Sequence, residues 1–494
     1  MPSRSHLPLE VLPAWASLNG IKLHGIKFAK LDNGSGIVAT EDQQSSLDDE
    51  EARILMTVPP DMVLSLAVVH DYAKSDRYLR EVLEATGDFG RTARGAILIF
   101  LLCHITYQSN TQEKVGVINP WTEYIQFLPR KVPLPTLWTE DEKELLYGTS
   151  LREAVEYKHA ALEAEYERLF TATDSIPWCN REWWDEDTGR LSLDDWKLID
   201  ALYRSRALDL PGTGHAMVPC VDMANHASGE ETGALYETDR DGNAVLQLRW
   251  GKKLREGEEV TITYGDEKGA SEMIFSYGFL ESSVASARQM FLSLDIPDTD
   301  PLRYAKKQIC ADNMAPGLRL YIEDGQTRWE SEFVYWACVN EEDGLGFEIL
   351  QTQGDDGPPG IKATWKDGQE IGHTVPGISK ELKSFRNILS TDESRWEVFQ
   401  LRAVVLVQQR VQSQLEMLTG EMEEAFENVE HDIDGTQTGV RSEVYATIRQ
   451  LRVLEIDLLR RSLEDLGKTI ETLLASESVA QYLSQQNNEP EDFS

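Results

Sequence analysis

The chain of 494 residues lacks closely spaced cysteines. Its five cysteines are scattered, the closest pair is Cys310 and Cys338, and no Cys-x-x-Cys motif occurs. This spacing argues against a structural zinc site built on clustered thiolates. An odd and scattered set of cysteines also fits buried thiols in a reducing compartment, so we expect a cytoplasmic or nuclear protein.

Basic residues are also scarce, because 48 Lys and Arg stand against 85 Asp and Glu, for a formal charge of -37. Such a surface repels the phosphates of nucleic acids and offers no affinity from counterion release, so we expect no direct nucleic-acid binding. The same charge attracts and steers basic protein partners. Solubility alone also explains it.

Long apolar runs are absent as well. The first 20 residues contain no apolar run of the signal-peptide type. The longest apolar stretch, from Ala96 to Ile105, is too short to span a bilayer. It predicts a buried helix, and we expect no membrane partner.

A chain of this length predicts two or three domains. Residues 21–60 alternate short apolar runs with turn signals, which is typical of short strands, and the region to about 210 turns helical. Ser192 and Asp195 form a capping-box pattern that opens a helix carrying Arg206. Four further strands are predicted, at 215–222, 233–239, 244–250 and 258–264. The helical region then interrupts a single strand-rich structure.

From residue 285 onwards, a weakly patterned segment is followed by predicted helices. Residues 285–385 have a weak pattern, and Ser390 with Glu393 predicts a second capping box and a helix after it. A long helix is predicted from about Ser442 to Leu474, and the C-terminal residues read as a disordered tail.

Two Tyr-Gly pairs follow apolar segments. Tyr264 ends the run VTITYG, so it is predicted to stand at a strand end and face a cleft; alternatively it is a turn tyrosine with a hydrated hydroxyl. Tyr277 precedes Gly278 and Phe279. The alternative there is a glycine that ends a helix, with Phe279 in the core.

A third motif is Asp222-Met223-Ala224-Asn225-His226, a polar turn after an apolar run. Asn225 can satisfy backbone groups and hold a strained turn. The alternative is an ordinary turn with a buried, hydrogen-bonded histidine. A metal site on Asp222 and His226 would lack a third clustered ligand, so we expect no metal.

Two more features complete the set. Gly34-Ser35-Gly36 lies between two strand-like runs, where backbone amides could approach a cofactor carboxylate; the alternative is a hairpin turn. Arg206 is placed near the end of its helix, where it either complements the helix dipole or binds a carboxylate through two hydrogen bonds.

Four of these motifs follow one another along the chain as Gly34-Ser35-Gly36, Asp222 to His226, Tyr264-Gly265 and Tyr277-Gly278. This order resembles that of SET-domain protein methyltransferases, in the subfamily that includes RuBisCO large-subunit methyltransferase and actin-histidine methyltransferase. The resemblance covers roughly residues 20–282. It implies an α+β protein with a SET core of small curved sheets, interrupted by a helical insertion and followed by a mainly helical substrate-binding-like domain. The corresponding predicted blocks are 20–90 and 211–282 for the core, 91–210 for the insertion, 283–480 for the helical domain and 481–494 for a disordered tail.

The resemblance also implies site roles. Tyr264 corresponds to the catalytic tyrosine, and no metal is required. The residues that would contact S-adenosylmethionine (SAM) are Gly34, Ser35, Gly36, Arg206, Asp222, Met223, Asn225, His226, Tyr277 and Phe279. The sequence departs from the pattern at Ser35, where many relatives carry a bulky residue, and at Ala270-Ser271, where relatives often have Asn-Ala.

The implied activity is SAM-dependent N-methylation of lysine in a non-histone protein. A dry channel favours the neutral amine that this chemistry needs. One alternative is a histidine acceptor, whose imidazole is neutral near pH 7. Another is a SET-like scaffold that binds proteins without turnover. The negative charge suggests a basic protein partner, such as a ribosomal or translation-related protein.

Overall fold

The computed structural model describes most of the chain. The described residues are 6–32, 34–46, 52–108, 115–310, 314–350, 360–366, 368–375, 378–380, 384–420 and 439–486. The acidic segments at 48–51 and 421–434 lie outside these ranges, as do residues 354–359 of the sequence GDDGPPG, whose glycines and prolines are typical of an exposed loop.

Two compact units make up the chain. Unit 1 comprises Met1–Trp138, Ala154–Glu267 and Ile274–Phe279, and unit 2 comprises Thr139–Glu153, Lys268–Met273 and Leu280–Ser494. Unit 1 therefore contains the predicted strands on both sides of the helical region. Residues 139–153, which the sequence placed in the helical insertion, group with unit 2 instead.

The strands of unit 1 are short. They are β1 (Lys22–Leu23), β2 (Ile26–Leu31), β3 (Gly34–Ala39), β4 (Gln43–Gln44), β5 (Ile54–Val58), β6 (Ala207–Leu210), β7 (Gly214–Met217), β8 (Ala234–Thr238), β9 (Ala244–Leu248) and β10 (Lys253–Leu254). One sheet has the order β1-β5-β9-β8, and β2-β3, β4-β10 and β6-β7 form separate antiparallel pairs. Because β5 pairs with β9, the strands before and after the helices form one structure, as predicted.

Ten helices of the described chain precede residue 280. They are α1 (Leu12–Leu18), α2 (Leu66–Ser75), α3 (Arg77–Ala85), α4 (Ala93–Tyr107), α5 (Pro120–Tyr124), α6 (Glu140–Glu144), α7 (Leu151–Thr173), α8 (Pro177–Cys179), α9 (Leu193–Arg206) and α10 (Ala270–Tyr277). Most of them lie between β5 and β6, whereas α1 precedes β1, α10 follows β10, and α6 belongs to unit 2. Every residue of α4 from Gly95 to Thr106 is buried, which confirms the predicted core helix. Among the described residues, no helix is both long and apolar enough to cross a membrane.

Helix α9 begins where the sequence predicts. The Asp195 backbone N–H donates to Ser192 Oγ at 3.2 Å, and the Ser192 N–H donates to the Asp195 carboxylate at 2.9 Å. These two bonds satisfy donors that a helix start otherwise leaves open. The box confirms the start of α9, which ends at Arg206.

The prediction of a strand at 258–264 is wrong. This segment makes only isolated bridges, Val38 with Glu259 and His226 with Ile262, and no continuous ladder. The reason is that its backbone changes partner along its length, so no neighbour stays beside it for several residues. The predicted strand at 215–222 likewise ends early, at Met217.

Unit 2 contains two antiparallel sheets besides its helices. Its strands are β11 (Gln289–Ser293), β12 (Gly317–Glu323), β13 (Gln326–Glu330), β14 (Leu345–Leu350), β15 (Gly360–Trp365), β16 (Gln369–Val375) and β17 (Ile378–Lys380), in the orders β11-β12-β13 and β14-β15-β16-β17. These sheets occupy the weakly patterned segment 285–385, where the sequence did not predict them.

The helices of unit 2 follow or flank its sheets. They are α11 (Arg303–Cys310), α12 (Glu332–Ala337), α13 (Phe385–Ser390), α14 (Trp396–Thr419), α15 (Ser442–Leu474) and α16 (Glu477–Gln486). Helix α15 has the predicted bounds. Helix α16 includes the first residues of the segment predicted to be a disordered tail, and residues 487–494 lie outside the described part.

The predicted capping box at Ser390 is wrong. Ser390 is the last residue of α13, and its hydroxyl donates to the Asn387 carbonyl at 2.9 Å. Helix α14 starts later, at Trp396, without a side-chain cap. A serine hydroxyl can also bond backward within its own helix, so the Ser-x-x-Glu pattern alone did not distinguish a helix end from a helix start.

Candidate active site

The partner changes of segment 258–264 bring three predicted motifs together. The Val260 N–H donates to the Ile37 carbonyl of β3 at 2.8 Å. Two residues later, the Ile262 N–H donates to the Asn225 carbonyl at 2.9 Å. The same short segment therefore holds the glycine strand, the Asn-His turn and Tyr264 in one place.

A cavity of about 570 Å³ lies where these three motifs meet, within unit 1. This volume falls in the range of small-molecule sites in proteins. The predicted site residues that line it are Gly34, Ser35, Arg206, Asp222, Met223, Asn225, Tyr264, Tyr277 and Phe279. Gly36 and His226 do not line the cavity, and they contact residues that do.

Tyr264 is held on two sides. Its hydroxyl donates to the Ala224 carbonyl at 2.9 Å, and its backbone N–H donates to His226 Nδ1 at 3.1 Å. The rings of Tyr264 and His226 stack with centroids 5.1 Å apart. The hydroxyl is thus bonded to the chain, which contradicts the alternative of a turn tyrosine with a merely hydrated hydroxyl.

The Tyr264 phenol keeps its proton at neutral pH. Burial raises the pKa of Tyr264 to about 12, and the nearby Asp222 and Glu259 carboxylates act in the same direction against the opposing charge of Arg206. A neutral phenol can donate one hydrogen bond and accept others at the same oxygen. Tyr264 therefore suits the orientation of a polar group in the cavity.

Tyr277 and Phe279 extend the aromatic wall. The Tyr277 ring centroid lies 4.5 Å from that of Tyr264, and the Tyr277 hydroxyl donates to the Tyr264 carbonyl at 3.2 Å. Between them Gly278 adopts φ +83° at the end of α10, and a Cβ there would lie 2.5 Å from the Pro133 carbonyl oxygen. Gly278 therefore ends the helix, as the alternative predicts, whereas Phe279 is half-buried and lines the cavity instead of lying in the core.

Arg206 and Asp222 form a partly buried pair. Arg206 Nη1 donates to the Asp222 carbonyl at 2.8 Å and lies 3.4 Å from its Oδ2. Burial raises the pKa of the Asp222 carboxyl, while Arg206 opposes that shift. The buried Arg206 Nε has no hydrogen-bond partner among the described residues. The guanidinium therefore retains a donor for a further acceptor.

Tyr124, in α5, is a site residue that the sequence analysis missed. Its hydroxyl donates to the Asp222 carboxylate and accepts from the Cys220 N–H at 2.8 Å. Cys220 is buried at φ +73°, a conformation that non-glycine residues rarely adopt. Tyr124 thus holds the strained turn that presents Asp222. Because Tyr124 lies 98 residues before Asp222, no local sequence pattern links the two residues.

Asn225 is also paired. Its Nδ2 donates to Glu259 Oε1 at 2.6 Å. Glu259 was overlooked, although it belongs to the segment EGEEVTITYG, whose alternation could have drawn attention to it. The other unforeseen part of the wall comes from residues within 6–9 and 127–133, together with Ser205.

The glycine motif is a hairpin that also lines the cavity. Strands β2 and β3 pair from Ile26 with Ala39 to Leu31 with Gly34, and Gly34 adopts φ +116°. Gly34 and Ser35 line the cavity, so the hairpin alternative is true without excluding ligand contact. The described residues contain no cluster of three or more metal-ligand side chains, and Asp222 and His226 are engaged with the protein as above.

The chain was compared with family models, with curated proteins and with solved structures. No family model matches the chain. SET domain-containing protein 8 of Schizosaccharomyces pombe is 29% identical over 304 residues, which cover 60% of this chain and 65% of that protein. [Fructose-bisphosphate aldolase]-lysine N-methyltransferase of Arabidopsis thaliana is 28% identical over 223 residues, 44% of this chain and 45% of the relative. The chain thus matches less than two thirds of either relative.

Among solved structures, the SET domain of LSMT bound to methyllysine and AdoHcy matches with a TM-score of 0.63 at 16% identity, covering 99% of this chain and 98% of that one. This likeness shows that the chain has the fold of that protein. The predicted α+β class and the resemblance to SET-domain methyltransferases are confirmed.

Proposed function

We propose that this protein is a SAM-dependent protein methyltransferase that modifies lysine. The observation that carries the proposal is the arrangement of Tyr264, whose protonated hydroxyl shares one cavity wall with Asn225 and the Arg206–Asp222 pair. The names of the relatives support it, because the Arabidopsis protein is a lysine N-methyltransferase. The structural neighbour was solved with methyllysine and AdoHcy.

The cavity residues fit SAM. SAM carries a carboxylate, and Arg206 lines the cavity with a guanidinium that can bind a carboxylate through its N–H groups. SAM also carries an ammonium, and Asn225, which lines the cavity, has an amide oxygen that can accept a hydrogen bond. The backbone at Gly34 and Ser35 leaves room for close approach. Arg206, Asn225 and the glycine hairpin would therefore hold the donor.

When bound, SAM supplies a methyl group on a sulfonium, which a neutral amine can accept as the carbon–sulfur bond breaks and the sulfur keeps the electron pair. The residues of this chain would contribute by aligning the amine with the methyl group and by excluding water from the two. The Tyr264 oxygen can accept an N–H of the incoming amine, so that the nitrogen lone pair points away from the tyrosine. Where the rings of Tyr264, Tyr277 and Phe279 displace water from an incoming lysine, this desolvation would lower the pKa of the amine and favour its neutral form.

The substrate is proposed to be a non-histone protein. The net charge of -37 supports a basic protein partner, such as a ribosomal or translation-related one, and the free cysteines support a cytoplasmic or nuclear location. Transfer to histidine is the alternative acceptor chemistry. Mass-spectrometric mapping of the labelled residue separates the two, because methyllysine and methylhistidine give different fragment ions.

The experiment is calorimetric titration of SAM into the wild type, Asn225→Ala and Tyr264→Phe, followed by labelled-SAM incubation with lysate. We expect saturable binding that Asn225→Ala weakens and Tyr264→Phe largely spares. Absence of SAM binding by the wild type would reject the proposal in favour of a non-catalytic scaffold.

A further inference from the structure

Glu259 stands next to the cavity without lining it. It is half-buried, and its carboxylate oxygen Oε1 accepts from Asn225 Nδ2 at 2.6 Å. Any influence of Glu259 on a bound ligand would therefore pass through Asn225.

The backbone fixes where this carboxylate can be. Glu259 bridges to Val38 of β3, and the flanking bonds from Ala39 N–H to the Glu258 carbonyl and from Val260 N–H to Ile37 hold it on both sides. These bonds are 2.9 and 2.8 Å long. The position of the Glu259 backbone is thus set by strand β3.

Gly36 makes room for the pair. A Cβ on Gly36 would lie 3.0 Å from Asn225 Nδ2, 3.1 Å from Glu259 Oε1 and 2.4 Å from Leu31 Cδ1. The strand backbone therefore closes over the Asn225–Glu259 hydrogen bond, and little space remains for another arrangement. This explains the second glycine of the motif without requiring that it contact a cofactor.

The chemistry of the two side chains gives the bond a direction. An asparagine amide can turn either its oxygen or its nitrogen to a neighbour, whereas an ionised carboxylate only accepts. Facing Glu259, the amide must present Nδ2, and Oδ1 is left over. Asn225 lines the cavity, and Oδ1 makes no hydrogen bond within the described residues.

We propose that Glu259 is a positioning residue that locks the Asn225 amide with Oδ1 towards the cavity, as an acceptor for the ammonium group on the amino-acid part of the methyl donor. The inference rests on the proposed function. A glutamine at 259 could itself donate to Asn225 Oδ1, so it would no longer enforce one orientation.

The test uses two ligands that share the adenosine part. S-adenosylhomocysteine carries the ammonium, and 5′-methylthioadenosine lacks the whole amino-acid part. Each is titrated calorimetrically into the wild type, Glu259→Gln and Glu259→Leu. We expect S-adenosylhomocysteine to bind roughly tenfold more weakly to Glu259→Leu, in line with the loss of a hydrogen bond to a charged group, with a smaller loss for Glu259→Gln. The dissociation constant of 5′-methylthioadenosine should stay within about twofold of the wild-type value. Such a change corresponds to less free energy than one ordinary hydrogen bond contributes.

Glu258→Gln is the matched control. Glu258 is the exposed neighbour, and its carboxylate accepts from the Arg255 N–H at 2.8 Å, so the variant removes the same charge away from Asn225. Equal losses for both ligands would mean a general structural role and would overturn the inference, as would unchanged binding in both Glu259 variants. Thermal unfolding of each variant shows whether the fold is kept. A wild type that binds neither ligand rejects the proposed function itself, and this inference with it.

Discussion

Asp222 in unit 1 and Glu455 in unit 2 are both buried carboxylates whose pKa burial raises, yet Asp222 lines the candidate site cavity and Glu455 does not. Glu455 accepts hydrogen bonds from the Ser150 N–H at 3.1 Å and from the Ser150 hydroxyl, next to the start of α7. Asp222 is held by Tyr124 and by Arg206, which keeps a donor without a partner in the described structure. A raised pKa therefore does not mark a functional site by itself; Asp222 differs from Glu455 by lining a cavity together with the other predicted site residues.

Removal of Asp222 should have the largest effect. Asp222→Ala leaves the Arg206 guanidinium partly buried without its carboxylate, and loss of one partner of a buried pair costs about 3 kcal/mol or more. We expect the free energy of unfolding to fall by about that amount and SAM affinity to fall as well. Chemical denaturation and calorimetry measure the two effects. A variant with wild-type SAM affinity would contradict the role given to the pair.

Glu455 should control stability through pH instead. Burial raises its pKa from 4.5 to about 7, so the folded state binds more protons than the unfolded state between these values. Stability should therefore fall as pH rises from about 4.5 to about 7, by on the order of 3 kcal/mol. Denaturation across this range measures the slope.

Glu455→Gln should flatten that slope, because the amide does not titrate. Glu464→Gln, an exposed acid on the same helix, should leave it unchanged. An identical slope in Glu455→Gln and the wild type would show that other groups cause it. SAM affinity should be unaffected by either substitution, which is the sharpest contrast with Asp222.

Tyr264→Phe separates binding from chemistry. It removes the hydroxyl that donates to Ala224 and would orient the amine, so we expect kcat to fall about 100-fold, a typical loss for one positioned polar group in an active site. SAM affinity should change little, since ring stacking on His226 remains. Single-turnover methylation beside calorimetry tests this. Tyr335→Phe, a buried tyrosine of unit 2, is the control and should leave kcat unchanged.

The smallest expected effect concerns the two predicted capping boxes. Ser192→Ala removes a real helix cap of α9 and should lower the free energy of unfolding by about 1 kcal/mol. Ser390→Ala, at the end of α13, should cost clearly less because its hydroxyl bonds only backward to Asn387. Equal losses would mean that the helix cap contributes nothing beyond an exposed hydroxyl.

Much of the fold followed from local patterns. The bounds of α15 and the start of α9 each depend on neighbours a few residues apart, so the sequence predicted them correctly. The sheets of 289–380 were missed, because alternation there is weak and pairing partners decide the strands. At the site, nine of the eleven predicted residues line one cavity. Tyr124 and Glu259 were missed because their partners are distant in sequence.

The sequence by itself determined the periodic helices, the tight turns and the identities of the polar residues in the four motifs. Only the tertiary structure decided that Tyr264 ends a segment with changing partners rather than a strand, that Arg206 binds Asp222, and that Asn225 faces Glu259. The physical reason is distance along the chain. Helix caps and turns are satisfied within four residues, whereas each of these site contacts joins segments 16 to 40 residues apart and exists only after those segments have come together in the fold.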